Sequence, residues 1–210
     1  MFKTGLAFYS ADSMLYGRFE TPVFKVAGMR FASRYIAAPH PKAEVRPDRQ
    51  SVERILARGW VGQLKIHGHR AQIHLNADED QPVLVYTRQG VPHKLEMQPE
   101  IVSELRRIFN PQSGWTALDA EWLKPEKQLY VFDVLKKDGV ELDDRTYPER
   151  HSLLPRIFIS PHVAVLPLLK TADKCMEALS NPAPHIEGLV FKSLSTTGFA
   201  DTSILRCRKR

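Results

Sequence analysis

From Trp60 onward, apolar and polar residues alternate in short runs. "VGQLKIHG", "AQIHLN" and "VLVYTR" are rich in β-branched and aromatic residues and separated by turn signals, which predicts three strands. "PEIVSELRRIF" changes period. Its Ile101, Val102, Leu105, Ile108 and Phe109 fall on one stripe, as a helix packed on a core requires. Strands resume at "GWTALDAEWL" and "QLYVFDVLKKDG". Next, "PERHSLLPRI" and "TADKCMEALS" carry helical spacing, with "HVAVLPLL" as a strand between them. "EGLVFKS" and "SILRCRKR" close the chain as strands. Upstream, "SVERILARG" predicts a short helix capped by Ser51, with Val52, Ile55 and Leu56 on one face and Gly59 as its stop. Three prolines and many charges between Ala37 and Gln50 predict an exposed loop or linker. Strands dominate and helices sit between groups of them. The pattern therefore predicts an α+β fold of antiparallel β-sheets flanked by helices.

Composition narrows the class. With 210 residues, 43% hydrophobic and 26% charged, the chain is long enough for one large domain, or one domain with a small appendage. No run approaches the roughly 20 apolar residues of a membrane helix. The first residues lack the continuous apolar core of a signal peptide. Cys175 and Cys207 sit in no metal-type or C-x-x-C spacing, which argues for a reducing compartment. These features predict an intracellular protein without a membrane partner. A net charge of +6 suits a polyanionic partner, nucleic acid first.

Candidate chemistry appears where charges interrupt apolar strands. Lys65 ends the first strand, Glu121 follows "LDA", Asp133 follows Phe132, and Glu187 and Lys192 bracket "GLVF". Arg206 and Arg208 alternate, so they share one face of the last strand. Charges on a buried sheet face are costly unless they pair or bind something. Structural salt bridges or solvent-facing positions would account for any one of them alone. The remaining histidines, His40, His74, His93, His151, His162 and His185, show no zinc-type spacing and read as surface or core residues. Tyr86, Trp115 and Trp122 read as core rather than base-stacking platforms, although Trp122, beside Glu121, fits either role.

Taken in order, these segments resemble the signature motifs of the covalent nucleotidyltransferases, the polynucleotide ligases and messenger-RNA capping enzymes. "KIHG" is similar to the family's Lys-x-(Asp/His)-Gly, "TRQG" to its (Ser/Thr/Lys)-Arg-x-Gly, and "LDAE" to its acidic third motif. "YVFDVLKKDG" is similar to the aromatic companion of the third motif, "EGLVFK" to Glu-Gly-x-x-x-Lys, and "LRCR" approximates Lys-x-Lys. The resemblance covers Gln63 to Arg208. It implies an adenylation domain with an ATP-grasp-like fold over 51–210, preceded by an N-terminal segment 1–50 that contacts substrate or packs on the domain. Only Lys209 and Arg210 follow the last motif, so no oligonucleotide-binding barrel is expected.

The resemblance also implies roles. Lys65 is the expected nucleophile, taking AMP from ATP as a lysyl phosphoramidate. A free lysine, with a pKa of about 10.4, needs its charge disfavoured before it can attack. Lys192, Arg206 and Arg208 are the expected cations around the phosphates. Glu121 and Glu187 are the expected oxygen ligands for Mg²⁺ or Mn²⁺. Phe132 is expected to stack on the purine and Gln63 to accept the adenine amine, with Leu64 beside them. Arg70 is expected at the ribose, and Arg88 near the nucleotide or the 5′-phosphate strand. The implied function is an ATP-dependent ligase, working as a monomer, that joins 5′-phosphate and 3′-hydroxyl ends in the cytoplasm of a cell or as a viral enzyme. "KIHG" is similar to phage-type RNA ligases of the second class and trypanosome editing ligases. "LDAEW" and "YVFDVLKKDGVELDDRTYPER" look more like the DNA-ligase version. RNA ends are slightly favoured, with a minimal DNA ligase as the alternative. Guanylyl transfer and a non-catalytic nucleic-acid-binding module are the remaining readings. All of the enzyme readings require Lys65, Glu121, Glu187 and Lys192 to share one cleft.

Overall fold

In the computed structural model, which describes residues 25–26, 29–30, 33–155, 160–199 and 203–209, the chain divides into two units, 1–34 and 35–210. In the first, β1 (Lys25–Val26) pairs antiparallel with β2 (Met29–Arg30). Most of the expected segment 1–50 lies outside the described residues. Its last part, 35–50, belongs to the second unit.

That unit holds two sheets. A three-stranded sheet is ordered β11 (Ile204–Arg208), β10 (Ile186–Ser193), β3 (Trp60–Ile66). The larger sheet is ordered β5 (Leu84–Tyr86), β4 (His69–Asn76), β6 (Trp115–Leu123), β7 (Gln128–Lys137), β8 (Val140–Glu141). All these pairs are antiparallel. The exception is β9 (Val163–Val165), which joins β7 in parallel after a long connection. Pro167 cuts the longer strand expected from "HVAVLPLL" short.

Period-2 alternation explains the layers. On β4, Ala71, Ile73 and Leu75 face the core; on β6, Leu118, Ala120 and Trp122 join them. The amphipathic α2 (Pro99–Phe109) closes this core with Ile101 and Leu105, its predicted stripe. The outer face of the three-stranded sheet packs Leu189, Phe191 and Cys207 against Val52 of α1 (Arg49–Ala57) and Cys175 and Ala178 of α4 (Ala172–Ser180). The intervening residues on these strands, Gln63 and Lys65 on β3, Asp119 and Glu121 on β6, and Val190 and Lys192 on β10, line a single cavity.

Two helix expectations shift. α1 starts before Ser51, because Asp48 accepts the Ser51 N–H at 2.8 Å and is the true N-cap. The helix read from "PERHSLLPRI" is only α3 (Tyr147–His151); Pro155 prevents its extension, and Arg156 and Ile157 lie outside the described residues. A capping box between Thr146 and Glu149 starts α3.

The proline-rich segment after Tyr35 is not a free linker. Ile36 exchanges two 2.7 Å bonds with the Gln72 side-chain amide, which acts as a substitute strand. The Pro39 carbonyl accepts from Arg70 at 2.8 Å, and Val45 donates to the Arg206 carbonyl at 2.8 Å. This strap therefore covers the polar face of β4 and extends the β11 edge. His74, beneath it, is buried and held neutral, with burial pushing its pKa down to about 3.

Candidate active site

The cavity between the two sheets has a volume of about 420 Å³, within the usual range for a small-molecule site. Lys65, Glu121, Glu187 and Lys192 all line it. They come from β3, β6 and β10, remote in sequence and brought together only by the sheet pairing.

Local backbone geometry aims each group. A bulge between Ile186 and Gly188 interrupts the β10–β3 register at Glu187. Gly188 sits at φ 147°, and a Cβ there would overlap the Cys207 carbonyl oxygen. Only glycine fits, and the freed Glu187 turns to the end of β3. Its carboxylate bonds Lys65 Nζ through one oxygen and lies 2.6 Å from His67 Nδ1 through the other. Partial burial works against the Glu187 charge, but the hydrogen bonds and charges of Lys65 and His67 outweigh it and hold the pKa below the usual carboxylate range. Gly68 follows: a Cβ there would meet the Trp122 carbonyl at 2.9 Å and Glu121 Cγ at 3.1 Å. The bare backbone lets the Gly68 N–H donate to Glu121 Oε1 at 3.1 Å. Burial pushes the Glu121 pKa up to about 7, against the pull of Lys65 and Gly68.

Lys192 is 7% exposed. Its Nζ lies 3.9 Å from the Tyr147 ring centroid and 4.8 Å from that of Phe132. Burial lowers its pKa to about 8; Asp133 and Asp119 oppose the shift, while Arg70 and Arg150 add to it. Behind it stand two closed ion pairs. Asp133 receives Nε and Nη2 of Arg150, each at 3.0 Å. Asp119 receives Arg70 Nε at 2.9 Å and also Nη2.

The other expected residues divide. Leu64, Phe132 and Arg88 line the cavity. Arg88 donates to His40 Nε2 at 3.0 Å, so the strap reaches the mouth. Gln63 also lines it but is 2% exposed, with Nε2 donating to the Leu166 carbonyl at 3.0 Å and Oε1 accepting from the Tyr147 hydroxyl at 2.9 Å. Arg70 has three of its five N–H groups engaged, by Asp119 and by Pro39. Arg206 and Arg208 share a strand as expected, yet neither lines the cavity. Glu44 on the strap draws Arg206 away with a 3.2 Å ion pair, and Arg208 is exposed. The cations facing the cavity are instead Lys65, Lys192, Arg70, Arg88 and Arg150.

Among the described residues there is no group of three or more His, Cys, Asp or Glu that would cage a metal ion. Two carboxylates on one cavity do fit a Mg²⁺ ion that keeps most of its waters and takes further oxygens from phosphates.

No protein-family model matches the sequence, and no curated protein matches it either. Solved structures do. A mycobacterial DNA ligase D complexed with ATP and MES superposes with a TM-score of 0.52 at 15% identity, covering 86% of this chain and 62% of that one. Pmar-Lig_PreS3 gives a TM-score of 0.50 at 15% identity, covering 79% and 46%. An archaeal ATP-dependent RNA ligase gives 0.46 at 14%, covering 81% and 48%. The fold is that of a ligase nucleotidyltransferase domain. The chain spans less than two thirds of the length of each of these three proteins.

Within this nucleotidyltransferase fold, sequence reasoning missed Tyr147, Arg150, Asp119 and His40. Asp119 lies inside "LDAE" and on the same strand face as Glu121, so period 2 alone could have found it. Tyr147 and Arg150 carried no such signal, because they reach the cavity from a helix whose spacing marks only its packing. Likewise the strap holding His40 has the composition of a linker. No helix among the described residues is long and apolar enough to cross a membrane.

Proposed function

We propose that this chain is an ATP-dependent polynucleotide ligase with Lys65 as its nucleophile. One observation carries the reading: Lys65, Glu121, Glu187 and Lys192, from three strands of two sheets, face one nucleotide-sized cavity.

The chemistry follows from their placement. The neutral Lys65 amine attacks the α-phosphorus of ATP. A P–N bond forms, the P–O bond to the β-phosphate breaks, pyrophosphate leaves and the amine's proton passes to solvent water. The Lys65–Glu187 pair must open for this, and both side chains keep enough exposure for water to reach the groups when they part. Lys192 presents a buried positive charge to the phosphate oxygens, where low dielectric strengthens the attraction. Glu121 and Glu187 would hold a divalent ion, which supplies charge neutralisation at the phosphates. Phe132 and Leu64 give the base an apolar seat. An oxygen of a polynucleotide 5′-phosphate then attacks the same phosphorus, freeing Lys65. Finally a 3′-hydroxyl attacks the 5′-phosphorus and AMP leaves.

Labelled ATP with Mg²⁺ should give a covalent adduct that Lys65→Ala abolishes; an unlabelled wild type ends the reading, and labelling by GTP instead redirects it to guanylyl transfer. RNA ends are the favoured substrate, because "KIHG", with His67 where most DNA ligases carry an aspartate, is similar to the motif of RNA ligases of the second phage class. Preference for an all-DNA nick over one with RNA on the 3′-hydroxyl side would assign the chain to the DNA-joining alternative.

A further inference from the structure

Lys192 poses a problem of placement. It is a buried cation, yet among the described residues no carboxylate forms an ion pair with it. Both nearby aspartates are already committed, Asp133 to Arg150 and Asp119 to Arg70. What surrounds the ammonium is aromatic: the Tyr147 ring at 3.9 Å and the Phe132 ring at 4.8 Å. A desolvated cation over a ring face is held by the ring quadrupole, and most strongly where water is excluded.

Tyr147 does a second thing. Its hydroxyl lies 2.9 Å from Gln63 Oε1 on β3 and 2.9 Å from the Phe132 carbonyl on β7. One proton thus serves two acceptors, one on each sheet, and the β3 acceptor is two residues from Lys65. The residue is itself fixed, being 3% exposed at the start of a capped helix whose Arg150 is clamped to Asp133.

We propose that Tyr147 is a positioning residue of this site, its ring face directing the Lys192 ammonium into the cavity and its hydroxyl tying the nucleophile strand to the Phe132 strand. The assignment rests on the ligase reading above for its catalytic consequence. The charged and titratable groups facing Lys192 are Asp133 on β7, Asp119 on β6, Arg70 on β4, and Arg150 and His151 on α3. Arg150 and His151 each lie 5.8 Å from the Tyr147 ring centroid, so Tyr147→Phe, which keeps that ring, is the control for their contacts.

The test compares Tyr147→Phe with Tyr147→Leu, using adduct formation from ATP across pH, with thermal melting to confirm folding. Loss of the ring should move the alkaline limb of the rate profile down by about half to one pH unit. Loss of the hydroxyl alone should leave that limb in place and raise the KM for ATP by about threefold to tenfold. If Tyr147→Leu does not fold, Tyr147→Met takes its place. NMR of ¹³C-labelled lysine follows the Lys192 titration directly and separates this proposal from the ligase reading. That titration should move in the ring-loss variant and stay in Tyr147→Phe, whether or not wild type forms an adduct. Equal losses in both variants with an unmoved Lys192 titration would reduce Tyr147 to packing and overturn the assignment.

Discussion

On the six-stranded sheet, Asp133 and Asp119 each meet a guanidinium with both carboxylate oxygens, and the Asp133–Arg150 side chains are 5% and 3% exposed. On the three-stranded sheet, Lys65 shares the single carboxylate of Glu187 with His67, and Lys192 faces rings. The first arrangement satisfies both aspartates and leaves them little to offer a ligand. The second leaves cations whose partners can be exchanged. Paired charge behind the cavity holds the sheets and helix in place, while Glu121 on β6 and the charges of the three-stranded sheet are available for chemistry. That contrast can be broken by substitution.

The largest effect belongs to the exchangeable charges. Lys65→Ala should cut adduct formation by about a thousandfold or more, while unfolding free energy changes by no more than about 1 kcal/mol. A large stability loss in chemical denaturation would place Lys65 with the structural charges. The opposite outcome is expected of Arg150→Met, which strands Asp133 in the interior and should cost about 3–5 kcal/mol. Adding Asp133→Leu should recover most of that loss, because no buried charge then remains unpaired. A double variant as unstable as the single one would show that the pair matters for more than charge. Next comes Gly188→Ala, which forces a Cβ onto the Cys207 carbonyl. We expect a loss of about 2–4 kcal/mol, with fewer protected amides along β10 and β11 in hydrogen exchange.

The smallest effect is the pH dependence of Lys192. Its folded-state pKa, lowered to about 8 by burial, lies below the unfolded value near 10.4. Between those values the unfolded chain binds the extra proton, so this group makes stability rise with pH from about 8 to about 10.4, by about 1–3 kcal/mol. Adduct formation runs the other way, falling as Lys192 loses its charge above about pH 8. Stability and activity measured over the same range should therefore diverge, and Lys192→Arg should abolish the divergence because arginine stays charged. Parallel curves would remove Lys192 from the exchangeable charges.

Much of the site was legible because motif chemistry sits on strands. "KIHG", "LDAE" and "EGLVFK" combine an apolar alternation with one charge out of place, and alternation fixes which face that charge takes. Arg206 and Arg208 show the limit of the same logic. Alternation put them on one face correctly, but Glu44, a partner on a strap read as linker, decides where Arg206 points. Gln63 likewise kept its place on the strand while its amide was engaged by Leu166 and Tyr147.

By itself the sequence determined the strands and helices, the faces their side chains occupy and the kind of chemistry those side chains can do. Those properties are local, set by hydrophobic period, turn residues and side-chain type. Tertiary structure alone decided which charges are paired and which are free, because pairing depends on contacts between residues such as Asp133 and Arg150, Gln63 and Tyr147, or Glu44 and Arg206, whose meeting no local pattern encodes.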